Sequence, residues 1–124
     1  MRYLLDTSAL IACLWDQHEF YERAASWAKG KKLITCPISE MGFIRIGTHP
    51  KGLGLSMADA RDLLKDFTSR PNVGFISADL PCLESKADSS AQVTDIYLAE
   101  LASRHGMKLA TFDSRIKHPA VEDI

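Results

Sequence analysis

The chain has few cysteines and no early run of apolar residues long enough to act as a membrane anchor. Its three cysteines, Cys13, Cys36 and Cys82, are widely spaced and form no Cys-x-x-Cys pair. This pattern argues against both a disulfide framework and a zinc site. Asp6 interrupts the apolar N-terminal stretch too early for a signal-peptide core or a membrane span. We therefore expect a soluble protein of the reducing cytoplasm.

The chain also lacks an excess of positive charge. It has 15 Lys and Arg residues against 16 Asp and Glu residues, with a formal net charge of −1 and a sequence pI of about 6.4. The general electrostatic attraction that drives non-specific nucleic-acid binding is therefore missing, so any such contact must be local. The four histidines show no metal-ligand spacing, and we assign none of them to catalysis.

Repeats, low-complexity tracts and linkers are absent. The 124 residues, 46% of them hydrophobic and 25% charged, are enough for one globular domain with its own core. We predict a single domain over residues 1–124.

Four short, mostly apolar or β-favouring runs are typical of buried parallel strands. They cover residues 3–5, 33–36, 73–76 and 108–111. The segment 121–124 is long enough for only a short last strand at the edge.

Between these runs, apolar residues recur at the spacing of a helix. The three sets are Phe20, Ala24, Trp27 and Ala28; Ala60, Leu63, Leu64 and Phe67; and Leu98, Leu101, Ala102 and His105. Gly30 and Gly106 are expected to close the first and third helices. Ser56 and Thr94 are expected to cap the second and third.

A further short helix is predicted over 38–46, between Pro37 and Gly47. Strands that alternate with helices indicate an α/β fold with three layers. Its central parallel sheet of four or five strands should be covered by helices on both faces. In such sheets, ligands bind beyond the carboxyl ends of the strands.

Four acids lie where this rule expects a site. Asp6 directly follows the first strand, Glu40 lies four residues past the second, and Asp113 lies two past the last. Asp95 falls in the first turn of a helix, where the helix dipole favours negative charge. Carboxylates that converge repel each other unless a cation neutralises them. Magnesium or manganese, which prefer oxygen ligands, would fit such a site and would suit phosphoryl chemistry.

Each acid also has a purely structural interpretation. Asp6 could cap a helix over 8–14, Asp113 could cap a turn before Arg115, and Glu40 could pair with a nearby cation. Asp95 taken alone is ambiguous in the same way as Asp6. Only the joint placement of the acids favours a metal site.

Four segments carry a family resemblance that spans nearly the whole chain. They read LLDTSALIA from residue 4, TCPISEMGFIR from residue 35, QVTDIYLA from residue 92 and LATFD from residue 109. In this order and spacing they resemble the PIN-domain ribonucleases, and among these the VapC-type toxins of bacterial toxin–antitoxin pairs.

The resemblance implies a magnesium-dependent endoribonuclease that acts on transfer RNA or another structured RNA. It also implies a cognate antitoxin protein and a homodimer. The family's acidic positions match Asp6, Glu40, Asp95 and Asp113, of which Asp6 and Asp95 match the most constant metal ligands. On this basis Asp6, Asp95 and Asp113 would hold the metal, while Glu40 would orient water or complete the ligand set. Thr111 matches the hydroxyl of the family's T-x-D ending.

Arg45 matches the last position of the family's E-x-G-F-x-R pattern. It would either contact an RNA phosphate near the site or form a surface ion pair. The turn Ser114-Arg115-Ile116 departs from many relatives, which have a basic or glycine-containing turn there. Early aromatic residues, among them Phe20 and Trp27, would belong either to the core or to a dimer or antitoxin surface.

Other function classes stay open. A DNA-directed nuclease is one, because an acidic site does not by itself read the 2′-hydroxyl of RNA. A catalytically silent PIN-like domain that binds RNA or protein is another. An aspartyl-phosphate phosphatase is disfavoured, since the second acid that it needs is replaced by Ser8.

Overall fold

Five short strands form one parallel sheet in the computed structural model, which describes residues 1–124. The strands are β1 (Arg2–Leu5), β2 (Lys32–Thr35), β3 (Val73–Phe75), β4 (Lys108–Thr111) and β5 (Val121–Asp123). Their order across the sheet is β3-β2-β1-β4-β5, and every neighbouring pair is parallel. The four predicted strands are confirmed with small shifts of their ends, and the short fifth strand lies at the β4 edge.

Five helices connect and cover these strands. They are α1 (Thr7–Leu14), α2 (Tyr21–Ala28), α3 (Pro37–Thr48), α4 (Met57–Thr68) and α5 (Val93–Arg104). A 3-10 turn over Ser90–Gln92 leads directly into α5. The predicted α/β architecture is therefore confirmed. None of the helices combines the length and the apolar character needed to cross a membrane.

Side chains that alternate along the strands divide the core between the two faces of the sheet. Tyr3 and Leu5 of β1 belong to a cluster of 15 buried residues with α1 to α4. Leu4 points to the other face and joins a cluster of nine buried residues, four of them from α5. Phe20 and Trp27 pack against the first cluster, which supports the core interpretation of these two aromatic residues.

The helix ends follow the predicted punctuation in most places. Ser56 caps α4 by accepting a hydrogen bond of 3.0 Å from the backbone N–H of Asp59. Gly30 and Gly106 adopt positive φ angles just beyond α2 and α5, the left-handed conformation in which glycine is favoured.

Two predicted helix boundaries are wrong. Thr94 does not cap α5, because the preceding 3-10 turn moves the start of the helix back to Val93 and makes Gln92 the capping residue. The helix predicted over 38–46 instead covers Pro37–Thr48, as long as α4 and α5. Pro37 occupies the first helical position, where its missing N–H costs no hydrogen bond. Gly47 is tolerated inside the helix and lies against the Phe43 ring.

Candidate active site

Asp6 is buried at the carboxyl end of β1, with only 4% of its surface exposed. Its Oδ1 accepts a hydrogen bond of 2.8 Å from the backbone N–H of Ala9, which makes Asp6 the N-cap of α1. The Ser8 hydroxyl donates to the same oxygen, also at 2.8 Å. Its Oδ2 accepts a short hydrogen bond from the Thr111 hydroxyl. The predicted capping role is confirmed, and it occurs in a residue that also lines the cleft described below.

Burial raises the pKa of Asp6, because desolvation disfavours the charged carboxylate. The hydrogen bonds from Thr111, Ala9 and Ser8 act in the opposite direction, and the negative charge of Asp95 raises the pKa further. The carboxylate therefore lies in surroundings where a nearby cation would be favourable.

Thr111 connects two of the acids. It is fully buried at the end of β4, the strand that pairs with β1. Its hydroxyl donates to Asp6 and accepts a hydrogen bond of 2.9 Å from the backbone N–H of Asp113. A hydroxyl at this position therefore fixes the Asp6 carboxylate and the backbone that carries Asp113, a role that a methyl group could not fill.

As predicted, Asp95 lies in the first turn of α5. It is partly buried. Burial raises its pKa, the negative charge of Asp113 raises it further, and the positive charge of Arg115 lowers it. Two of the predicted metal ligands thus have raised pKa values for the same two reasons, desolvation and a neighbouring carboxylate.

Asp113 differs, because it already has a cation. The Arg115 guanidinium donates to both of its carboxylate oxygens, with Nε–Oδ1 and Nη2–Oδ2 distances of 3.0 Å. The backbone N–H of Arg115 also donates to Oδ1, at 2.9 Å. These hydrogen bonds hold the pKa of Asp113 below its ordinary value, and the guanidinium contributes the larger part. The predicted turn cap before Arg115 is confirmed.

Asp6, Asp95 and Asp113 line one cleft of about 340 Å³ at the carboxyl edge of β1 and β4. No group of three or more His, Cys, Asp or Glu side chains forms a protein cage that could hold a metal ion. Magnesium does not need such a cage, since it usually keeps several waters and takes one or two carboxylates. The polar lining consists of carboxylates and hydroxyls with a single imidazole. Its two desolvated carboxylates therefore fit a hydrated divalent cation.

Glu40 lines a different cavity. Its carboxylate accepts a hydrogen bond of 2.7 Å from the buried Thr35 hydroxyl at the end of β2. It faces a groove of about 950 Å³ between α3 and α4. Thr7 and Thr94 line both the groove and the acid cleft, so the two cavities adjoin. The structure thus brings three of the four acids into one cleft and places Glu40 beside it.

Arg45 is exposed in α3 and lines the same groove as Glu40. The two ion pairs in the protein, His105 with Asp79 and Arg115 with Asp113, do not include it. Its guanidinium is therefore open to a ligand.

Gly42 has a structural function that the sequence did not indicate. It lies in α3 directly against Thr7, and a Cβ atom there would overlap the Thr7 hydroxyl and lie 2.8 Å from its methyl group. Only a residue without a side chain lets α3 approach α1 this closely. This contact places the groove next to the cleft.

The sequence assigns His18 no role in catalysis, yet His18 lines the acid cleft. It lies between α1 and α2, where no periodic pattern connects it to the acids. Its spacing from Asp6 along the chain carries no recognisable signal, so only the fold reveals the proximity.

The chain matches the family model described as PIN domain over residues 3–122. Ribonuclease VapC44 of Mycobacterium tuberculosis is 37% identical over 131 residues, which cover 98% of this chain and 92% of that protein. Ribonuclease VapC38 of the same species is 35% identical over 121 residues, 91% of this chain and 86% of that protein.

A solved structure has the same fold at low sequence identity. It is the crystal structure of VapBC2 from Rickettsia felis bound to a DNA fragment from their promoter. The similarity has a TM-score of 0.64 at 17% identity and covers 99% of this chain and 98% of that chain. With the family model and both mycobacterial ribonucleases matching nearly its full length, this chain belongs to the PIN-domain family and resembles its VapC ribonucleases.

Proposed function

We propose that this protein is a divalent-cation-dependent endoribonuclease and the toxin of a toxin–antitoxin pair. The observation that carries the proposal is the placement of three carboxylates in one cleft, two of them desolvated enough to have raised pKa values. Relatives that align over nearly the whole chain are named ribonucleases, which supports RNA as the substrate.

Asp6 and Asp95 are the residues that would hold Mg²⁺ or Mn²⁺, since they lack a cationic partner of their own. The chemistry supplied by such a cation is stabilisation of the charge that develops on the phosphate during an in-line displacement. Thr111 and Ser8 fix the orientation of Asp6 through hydrogen bonds to its two oxygens. Asp113 would join the ligand set once Arg115 releases its carboxylate.

The groove beside the cleft offers a path for the RNA strand. Arg45 would contact a phosphate there, because its guanidinium has no carboxylate partner. Glu40 would orient water at the boundary between groove and cleft, where the Thr35 hydroxyl holds its carboxylate. A structured RNA such as transfer RNA is the substrate class that we expect.

A cognate antitoxin is the protein partner that we propose, in line with the VapBC complex that shares the fold. A homodimer and a cytoplasmic location stay predictions of the sequence.

The test is to incubate the purified protein with total cellular RNA in Mg²⁺, Mn²⁺ or EDTA and to map the new 5′ ends. We expect discrete cuts with either cation and none in EDTA. Asp62→Asn, which changes an exposed acid in the middle of α4, is a matched control and should cut like the wild type. Cuts in EDTA would refute the cation requirement.

The same assay separates the competing functions. Cleavage of single-stranded DNA with RNA left intact would identify a DNA nuclease. A well-folded wild-type protein that binds RNA but cuts nothing with either cation would identify a silent domain.

A further inference from the structure

His18 lines the acid cleft, and the proposed chemistry gives it no role. The polar side chains that line this cleft are carboxylates and hydroxyls, apart from His18, the one side chain there that carries nitrogen. A cleft with three carboxylates repels an incoming phosphate, so a hydrogen-bond donor in its wall would be valuable.

The hydrogen bonding of His18 determines what it can offer. Its Nδ1 accepts a hydrogen bond of 3.0 Å from the backbone N–H of Phe20. In the neutral ring, the proton must then lie on Nε2. His18 Nε2 has no hydrogen-bond partner in the protein. Every buried side-chain nitrogen does have a partner, so Nε2 is not buried and its N–H is open to solvent. His18 thus presents a donor and has no free lone pair with which to act as a base.

The position of this donor is fixed by packing. The His18 ring lies against Phe20, with 5.8 Å between their centroids. Phe20 in turn stacks on Phe112, at 5.0 Å and 17°. Phe112 lies between Thr111 and Asp113, so this aromatic chain ties His18 to the end of β4. A donor held in this way needs little reorganisation to meet a ligand.

We propose that His18 binds substrate in this cleft, donating Nε2–H to a phosphate oxygen of the RNA strand beside the carboxylates. This inference rests on the proposed ribonuclease function, and it adds a binding residue that is not one of the acids.

Two substitutions separate this role from a purely structural one. His18→Asn keeps an acceptor near the position of Nδ1 and so preserves the hydrogen bond from the Phe20 N–H, but it removes the Nε2–H donor. His18→Gln places an amide N–H near the position of Nε2, but it loses the acceptor at Nδ1. His118 is a matched control, because its Nδ1 accepts from the backbone N–H two residues later, Ala120, in the same way and His118 lies outside the cleft.

We expect His18→Asn to lower kcat/KM for RNA cleavage about 10-fold or more, the size of one hydrogen bond to a charged group. His18→Gln should restore most of that loss, and His118→Asn should cut like the wild type. The opposite order, with His18→Asn active and His18→Gln impaired, would show that the ring only closes the turn and would overturn the proposal.

A second measurement does not depend on cleavage or on variants that fold. In the wild-type protein with Mg²⁺, the ¹⁵N resonance of His18 Nε2 should shift on titration with uridine 5′-monophosphate and stay unchanged with uridine. No response to the nucleotide at concentrations that shift other cleft resonances would overturn the proposal. A response in a protein that cuts no RNA would refute the ribonuclease function and leave the phosphate contact standing.

Discussion

The two sides of the acid cleft differ in how their carboxylates are held. On one side, Asp6 is buried, hydrogen-bonded by neutral groups and without a cation. On the other, Asp113 is more accessible and its two oxygens are already occupied by Arg115. Burial raises the pKa of Asp6, whereas Arg115 lowers that of Asp113. An external cation would therefore stabilise Asp6 and Asp95 more than Asp113.

This difference means that three acids in one cleft are not three equal ligands. The Asp6 side is built by the fold itself, through a helix cap and a strand-end hydroxyl. The Asp113 side is a local turn whose guanidinium can exchange for another cation. The expected effects of substitution should follow the same order.

The largest effect is expected from Asp95→Asn, which removes a desolvated carboxylate without its own cation. We predict a loss of about 10³-fold in kcat/KM, equivalent to several kcal/mol of transition-state stabilisation. Asp113→Asn should lose less than Asp95→Asn. Kinetics on an RNA containing a mapped cut would check this, with Asp62→Asn as the control. A greater loss in Asp113→Asn would reverse our comparison of the two sides.

Thr111→Val should damage both the site and the fold. It removes a donor to the buried Asp6 carboxylate and the acceptor of the Asp113 backbone N–H. We predict a decrease of about 2 kcal/mol in the free energy of unfolding, typical of a lost hydrogen bond to a buried charged group. Urea denaturation would measure it. Thr68→Val, which removes a hydroxyl bonded only to helical carbonyls, is the control and should change stability little.

The raised pKa of Asp6 predicts a pH dependence of stability. Above this raised pKa, the carboxylate is charged in both states and the native state carries the cost of burying it. As the pH falls from the raised native pKa towards the ordinary value of 3.8, the native state takes up the proton first. That uptake stabilises the native state.

Without divalent cations, Asp6→Asn should therefore be more stable than the wild type at neutral pH, and the difference should shrink as the pH falls through this window. Melting temperatures of the two proteins across this range would test the sign. A difference that grows towards acid pH would show that Asp6 is instead stabilised in its charged form.

The smallest effect is expected from Arg115→Gln, which frees Asp113 on the exposed side. The Mn²⁺ concentration for half-maximal cleavage should fall by about two- to fivefold, in keeping with the weakness of exposed ion pairs. Lys117→Gln is the control, because Lys117 bonds only to a backbone carbonyl. A rise in the Mn²⁺ requirement would show that Arg115 supports the site instead of competing for Asp113.

The predictable features were those with a local signal. Short apolar runs and the capping Ser56 marked strands and helices, because burial and caps act over a few residues. The strand-end rule placed Asp6 and Asp113 together for a different reason, because the carboxyl ends of parallel strands meet at one edge of the sheet. The turn that Asp113 caps before Arg115 was predicted, because it spans only three residues. The ion pair between the two side chains was not predicted.

The features that escaped prediction depend on contacts between distant segments. The sequence predicts Thr94 as the cap of α5, because a 3-10 turn before a helix leaves no clear pattern. Gly42 and His18 gave no local signal, since the Thr7 hydroxyl and the acid cleft that define their roles lie on other elements. Glu40 follows β2 as expected, but its bond to Thr35 and its place in α3 direct it to the adjoining groove.

The most direct test of the metal site is Mn²⁺ binding by isothermal titration calorimetry to the wild type, Asp6→Asn and Asp62→Asn. We predict that the wild type and Asp62→Asn bind Mn²⁺ alike, while Asp6→Asn loses the site and keeps its fold by circular dichroism. Equal binding by folded Asp6→Asn would contradict the central claim that the buried carboxylate at the end of β1 forms the core of a divalent-cation site.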